Sequence, residues 1–570
     1  MLFLLFSVVL FALLLCGSGS LFGRLLKLSP PNNPWINFWL GFFLISTLSM
    51  FSSFFVPINM ISLIVFFIIG AIGLPFFYMD YKQAISHLDK VDVRIFKYIA
   101  LYSLIVVVCL GAHIIWRESY DTDLYHAQVV RWYNEYGTVP GLGNLHARLA
   151  FNSSWLALAA LFDNGIWDAR SAWIMPSLAL LGGIFYLLHE LFFSQKNGIR
   201  LYALCILVWI LLKDVARVAE PSLFFDFPVH ILNAIIVLEA YRLYDSYTGN
   251  LSQNQIKDAS RLLMLSVAAF MIKAIGAVSL LFAGLLTLFF LVRNTRQTVS
   301  SWTLIYIPAL CAFAIWVTSN MFLSGYLMYP MPMFAMPFDW TMPLASVEGT
   351  YRAILNWARM PPGSYFPESA GTGFLFWLGP WVRHILLNFR VFLWLLVFPL
   401  CISILVWFFV FRYGKIKKVL YFFGWTFVSI IYWFLSAPDP RFGDGFFWVF
   451  LGTAFLFIIP DTHKITLANV WKNSKFRIAF FYFCMLGIVA TVVFTAFSPI
   501  RNFLTIGTVP SRPVIEYTVN TSPPFTVWIP YDRSDDRTGN SPLPSAPGRP
   551  SNIEMREHGN LGRGFRPIQR

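Results

Sequence analysis

Two carboxylates two residues apart, Asp121 and Asp123, stand at the head of a segment rich in side chains that can do chemistry. It reads ESYDTDLYHAQVVRWYNEYG and adds Tyr125 and His126 directly behind the acids. A carboxylate at the end of an apolar run can take a proton from a hydroxyl as a general base. With Asp121 and Asp123 as ligands it can instead hold a divalent cation facing a diphosphate. The plainer reading is a cap on the helix that follows. Spacing leaves both open, and one residue can do both. Just downstream, GLGNLHARLAFNSS gathers Gly141, Gly143, Asn144, His146, Arg148 and Asn152. Glycines let a backbone come close to a ligand, and a guanidinium forks onto phosphate. An ordinary glycine turn closing a hairpin would look the same.

Further ionisable residues lie in apolar surroundings. RVAEPSLFFDFPVH holds Glu220 and Asp226 just ahead of an apolar run, MIKAIG sets Lys273 inside a long apolar stretch, and APDPRFGDG presents Asp439, Arg441 and Asp444. An ionisable group at membrane depth is expensive and marks function by default. The competing readings are a snorkelling Lys273 and an Arg441 that pairs with Asp439 or Asp444 to hold a tight turn. The 324–340 loop, SGYLMYPMPMFAMPFDW, is built of aromatics, Met and Pro, and Arg352, Arg359, Arg383, His384 and Arg390 follow it. Such a loop suits an acyl or polyprenyl chain, or simply the bilayer interface.

The elements that must position these residues follow from composition. Of 570 residues, 58% are hydrophobic and 12% charged, against about 25% charged in a soluble chain. That excludes a water-soluble globular protein and a disordered one. The net charge of +14 contains no long basic block, so a nucleic-acid partner is excluded too. Six cysteines, all within apolar runs, show no paired spacing. Apolar runs near 1–16, 37–55, 58–79, 97–115, 174–193, 201–213, 228–245, 302–323, 391–411, 419–436, 446–460 and 478–498 read as membrane spans. The stretch 261–292 reads as two short helices broken near Lys273 and Gly276. The expected fold is an all-α polytopic membrane protein with about 12–14 transmembrane helices. Residues 1–498 form its membrane domain and 499–570 a tail rich in Pro, Gly, Ser and Arg.

Lysine sets the orientation. With the N-terminus outside, loops expected to be cytoplasmic hold, with their flanks, 12 of the 14 lysines. The opposite side carries Lys213 and Lys273 but 19 arginines. Every chemically varied segment then falls on the outer side: 116–173, 214–227, 324–390, 437–445 and the tail. In the first of these, Tyr125, Val129, Trp132 and Tyr136 form the apolar stripe of an interfacial helix, with Arg131 and Glu135 on its wetter side.

A carboxylate in the first long exterior loop, followed by interfacial helices and many spans, resembles the GT-C superfamily of integral-membrane glycosyltransferases. YDTDLYHAQVVRWYNEYGTVPGLGNLHARLAFNSSW, SGYLMYP, APDPRFG and GNLGRGFRP are similar to a bacterial family of multi-spanning proteins in that mould. The resemblance implies a GT-C-like fold, with Asp121 in the place of the catalytic aspartate and Asp123 at a variable site. Tyr125, His126, Asn144, His146, Arg148, Asn152, Lys273, Tyr326 and Arg441 match recurring polar positions. Relatives often carry a cysteine pair in the tail; this chain has none there, so a stapled tail is not expected.

The combined expectation is an enzyme of the cell envelope, acting in polysaccharide biosynthesis on the outer face of a bacterial inner membrane. It would move sugar from a polyprenyl-phosphate donor to a glycan or lipid-linked acceptor. Asp121, with Asp123 and His126, forms the expected catalytic group. Asn144, His146, Arg148, Asn152, Asp226, Lys273, Tyr326, Asp439 and Arg441 form the expected substrate- and phosphate-binding set. A divalent cation on Asp121 and Asp123 is left open. An O-antigen or capsule-type polymerase is the alternative in related chemistry. A transporter or flippase of lipid-linked glycans is the alternative of another class, and should show paired broken helices with charges at the midplane.

Overall fold

In hydrocarbon no water satisfies backbone N–H and C=O groups, so a chain this apolar crosses as helices that bond internally. The computed structural model describes residues 2–86, 119–212, 222–249, 251–293, 299–359, 374–388, 396–413, 416–458, 507–532 and 534–568. The expected spans 97–115 and 478–498, together with Glu220 and Arg390, lie outside the described residues.

The helices are α1 (Leu2–Leu25), α2 (Ile36–Ser52), α3 (Met60–Ile85), α4 (Ala127–Glu135), α5 (Ser154–Leu161), α6 (Ser171–Phe193), α7 (Asn197–Leu212) and α8 (Asp226–Asp245). They continue as α9 (Gln253–Ile272), α10 (Ala277–Arg293), α11 (Val299–Ser324), α12 (Leu344–Arg359), α13 (Phe374–Asn388), α14 (Phe398–Tyr413), α15 (Ile416–Ser436) and α16 (Pro440–Ile458). Among the described residues, six helices are long and apolar enough to cross a membrane, and three shorter apolar ones stand beside them. The chain is an α-helical, multi-pass membrane protein. Helix α8 falls outside those six because it carries Asp226, Glu239, Arg242 and Asp245, yet Val229 to Leu238 are buried by its neighbours. Small residues bring α1 and α2 into backbone contact: a Cβ on Gly41 would lie 1.9 Å from the Leu15 carbonyl oxygen.

The break in 261–292 is a hairpin. Lys273 is extended (φ −156°, ψ 142°) and ends α9; α10 starts four residues later. The two helices run antiparallel. Tyr247, just past α8, meets Phe290 near the end of α10, while Lys273 at the tip pairs with Asp226 at the start of α8. Lys273 therefore lies at one end of the bundle, at the tip of the break expected near it.

Segments distant in sequence assemble at that end. Leu223 N–H donates to Thr122 Oγ1 at 3.1 Å, and Tyr329 O–H donates to the Ala147 carbonyl at 2.8 Å. Trp381 Nε1–H donates to the Pro438 carbonyl at 2.8 Å. The tail is folded against them, and it adds a few short strands to an otherwise helical chain. Strands β1 (Val514–Val519) and β2 (Phe525–Pro530) pair antiparallel, with Val514 opposite Pro530. Strands β3 (Ile553–Met555) and β4 (Phe565–Pro567) make a second antiparallel pair. Phe525, Val527 and Ile529 alternate inward, the two-residue period of a half-buried strand.

Candidate functional site

The chain enters α4 through a π-helical turn, Thr122–His126. Such turns insert an extra residue and are frequent at functional sites. Asp121 immediately precedes it with helical φ/ψ (−70°, −30°), and its side chain makes no capping hydrogen bond. The capping reading is thus absent for this residue. Its carboxylate instead faces Arg148, with Oδ1 3.6 Å from Nη1. That is an ion pair too long to be a hydrogen bond. Arg148 projects from a single 3-10 turn, Ala147–Ala150, and both side chains are partly exposed.

The other half of the cluster comes from helix ends. Asp439 accepts the Arg441 backbone N–H at 2.8 Å, ahead of Pro440 at the first position of α16. This is the arrangement expected of a cap followed by proline. The same carboxylate holds the Arg441 guanidinium at 3.2 Å, so the expected local pair exists. The guanidinium also lies over Trp357 of α12, 4.8 Å from the ring centroid. Lys273 pairs with Asp226 and sits 3.5 Å from the centre of the Phe442 ring. Its ammonium is therefore held by a charge and an aromatic face rather than by snorkelling.

These groups share one field. Burial raises the pKa of Asp121, Arg441 and Arg148 oppose that rise, Asp226 adds to it and Lys273 opposes it. Desolvation penalises the charged carboxylate, so Asp121 holds a proton more readily than a solvated aspartate. His126 is 1% exposed, packed against Tyr125, Phe224 and Phe225, and neither ring nitrogen has a hydrogen-bond partner among the described residues. Burial, reinforced by Lys273 and Arg148, pushes its pKa down to about 3. Burial with Arg148 nearby does the same to His146, to about 3. Both imidazoles are neutral at physiological pH.

Six expected residues thus interact as one cluster: Asp121, Arg148, Asp226, Lys273, Asp439 and Arg441. Four others act as ties. The Asn144 amide donates to the Trp340 carbonyl at 2.8 Å, and the Asn152 amide donates to the Trp316 carbonyl at 2.8 Å. Tyr326, 2% exposed, donates to the Met342 carbonyl at 3.2 Å. Asp123 is fully buried and accepts from Arg512 of the tail at 2.8 Å. Asp121 and Asp123 therefore face different arginines and do not form a shared pair. Among the described residues no group of three or more His, Cys, Asp or Glu side chains is placed to hold a metal ion. An apolar groove of about 480 Å³ between α10 and α11, lined by Gly284, Leu288, Trp302, Thr303, Tyr306 and Ile307, contains no charged group and none of the cluster residues.

Sequence reasoning missed Trp357, Phe442, Tyr120 and Arg512. Trp357 and Phe442 look like ordinary interfacial aromatics in sequence, and nothing local in the tail distinguishes Arg512 from its other arginines.

A comparison with known families matches residues 1–448 to one described as "Domain of unknown function (DUF8201)". No curated protein and no solved structure matches the chain.

Proposed function

From the premise that the chain belongs to the DUF8201 family, we propose that it is a membrane glycosyltransferase using a polyprenyl-phosphate-linked sugar on the outer face of a bacterial inner membrane. The observation that carries this reading is the state of Asp121. It caps no helix, among the described residues its one ion pair is 3.6 Å long, and it stands in a half-open cluster with Arg148, Arg441 and Lys273. A raised proton affinity suits a general base, whose efficiency is greatest when its pKa approaches the working pH.

In the proposed step the acceptor hydroxyl gives its proton to Asp121. Its oxygen bonds to the anomeric carbon, and the bond from that carbon to the donor phosphate oxygen breaks. The electron pair leaves with the polyprenyl phosphate, whose charge Arg148 and Arg441 stabilise, aided by Lys273. A lipid-linked donor is supported by the surfaces beside the cations. Trp357, 51% exposed, lies under Arg441, and Met333 and Phe334 are 53% and 62% exposed at the tip of the 324–340 loop. Tyr329 ties that loop to Ala147, next to Arg148.

The place of Lys273 at a hairpin tip, among other helix ends, supports an interfacial reaction site over the midplane site of a transporter. The test is sugar transfer by the purified protein in lipid nanodiscs, with synthetic polyprenyl-phosphate sugars as donors. Wild type should transfer and Asp121→Asn should not. Equal transfer by the two would refute the assignment of Asp121.

A further inference from the structure

The tail closes on the turn that bears Asp121 at several independent points. Arg512 donates to the buried Asp123 carboxylate at 2.8 Å and also reaches Asp535 at 3.5 Å. The Asp123 carbonyl accepts backbone N–H bonds from Thr538 at 3.2 Å and Gly539 at 2.7 Å. The Gln128 amide donates to the carbonyls of Gly539 at 2.9 Å and Ser541 at 3.0 Å. Arg131 donates to the Asn540 carbonyl at 3.0 Å. On the exposed side of the turn, Tyr120 O–H donates to Asp536 at 2.6 Å, and Arg537 lies over the Tyr120 ring. Segment 535–541 thus grips residues 120–131 on both sides of the π-helical turn, and Asp121 lies between Tyr120 and the clamped Asp123.

A single π-helical turn interrupts the regular helical ladder, so contacts from outside it help to set how its neighbours are aimed. Residues that lock a functional group's geometry set the rate as well as those that touch substrate, because a misplacement of about 1 Å costs on the order of 10²-fold. We propose that Arg512, with tail segment 535–541, is a positioning element for Asp121: a wall of the site built in from the far end of the chain. Asp123 belongs to that clamp rather than to the reacting groups. The proposal rests on the reading of Asp121 as the general base.

The test uses the full chain in nanodiscs and two readouts, amide hydrogen exchange and turnover. Arg512→Met removes the central bond. Gln128→Ala removes two hydrogen bonds without leaving a charge unpaired, and serves if the first variant folds poorly. Both should speed exchange within 119–131 by about 10-fold or more while α8 stays protected. Both should lower kcat by about 10-fold to 100-fold, with the donor KM within about 3-fold of wild type. Arg512→Lys should recover part of both. Faster exchange with unchanged kcat would overturn the positioning role, and unchanged exchange in both variants would overturn the clamp. If wild type transfers no sugar from any donor, the reading of Asp121 fails, while the exchange result still decides whether the tail holds the turn.

Discussion

The two ends of the helical bundle hold similar inventories of charge and treat them differently. At the end where α1, α3, α6 and α8 finish, carboxylates are saturated. Asp80 accepts from Ser20 at 3.1 Å, Arg24 at 2.5 Å and Asn37 at 3.0 Å. Glu190 accepts from Asn33 at 2.7 Å and pairs with Arg242, which also holds Glu239 at 2.8 Å. Asp245 lies between Lys196 and Lys418. At the opposite end, among the described residues, Asp121 makes one ion pair, at 3.6 Å, and His126 makes no hydrogen bond through its ring nitrogens. A half-open carboxylate with its nearest cation too far for a hydrogen bond is where a ligand can complete the arrangement.

The comparison can be broken at either end, and the largest effects come from the carboxylate of one and the guanidinium of the other. Asp121→Asn should cut kcat by about 10³-fold in the transfer assay and leave thermal unfolding nearly unchanged. Arg242→Met should do the reverse. It strands Glu190, whose side chain is 2% exposed, and should cost about 3–5 kcal/mol of stability with little change in turnover per folded molecule. If Arg242→Met lost activity without losing stability, the division between the two ends would fall.

A smaller effect tests the field at the site. Asp121 must be ionised to accept a proton, so kcat/KM should fall as pH drops through its raised pKa, above the usual carboxylate range. Arg148 favours the ionised form. Arg148→Met should therefore shift that acid limb to higher pH, besides lowering kcat about 10²-fold through lost stabilisation of the leaving phosphate. A limb that did not move, in a pH–rate profile of that variant, would separate Arg148 from Asp121.

The effect smallest per unit of pH concerns His126. Its folded pKa of about 3 lies below the 6.5 of a solvated imidazole in the unfolded chain. The unfolded state therefore binds the extra proton first, and stability present above pH 6.5 is lost as pH falls towards 3. His126→Leu should flatten that acid loss by about 1.4 kcal/mol per pH unit, one proton's worth, in unfolding measured across that window. An unchanged slope would show that His126 is not the residue held neutral by burial.

Much of the fold was legible because membrane helices are dictated by long apolar runs. Of the expected stripe, Tyr125, Val129 and Trp132 are buried and Tyr136, just past the end of α4, is half-buried, while Arg131 and Glu135 pair at 2.5 Å on the wetter side. The break near Lys273 was legible too; its partners Asp226 and Phe442 were not, because they come from other helices. The strand in FTVWIP carries a two-residue alternation that composition alone hid, since the tail as a whole is rich in Pro, Gly and Arg.

By itself the sequence determined the class of protein, an α-helical multi-pass membrane chain, because apolar length and scarce charge admit few other solutions. It also named the six residues that the cluster unites. The resemblance singled out Asp121 over Asp123, and only the tertiary structure decided what each of the two faces. Residues two apart on a helical turn point in roughly opposite directions, so Asp121 turns to Arg148 while Asp123 turns to Arg512, 389 positions away. That partner is chosen by how the tail packs, and no local pattern around Asp123 contains it.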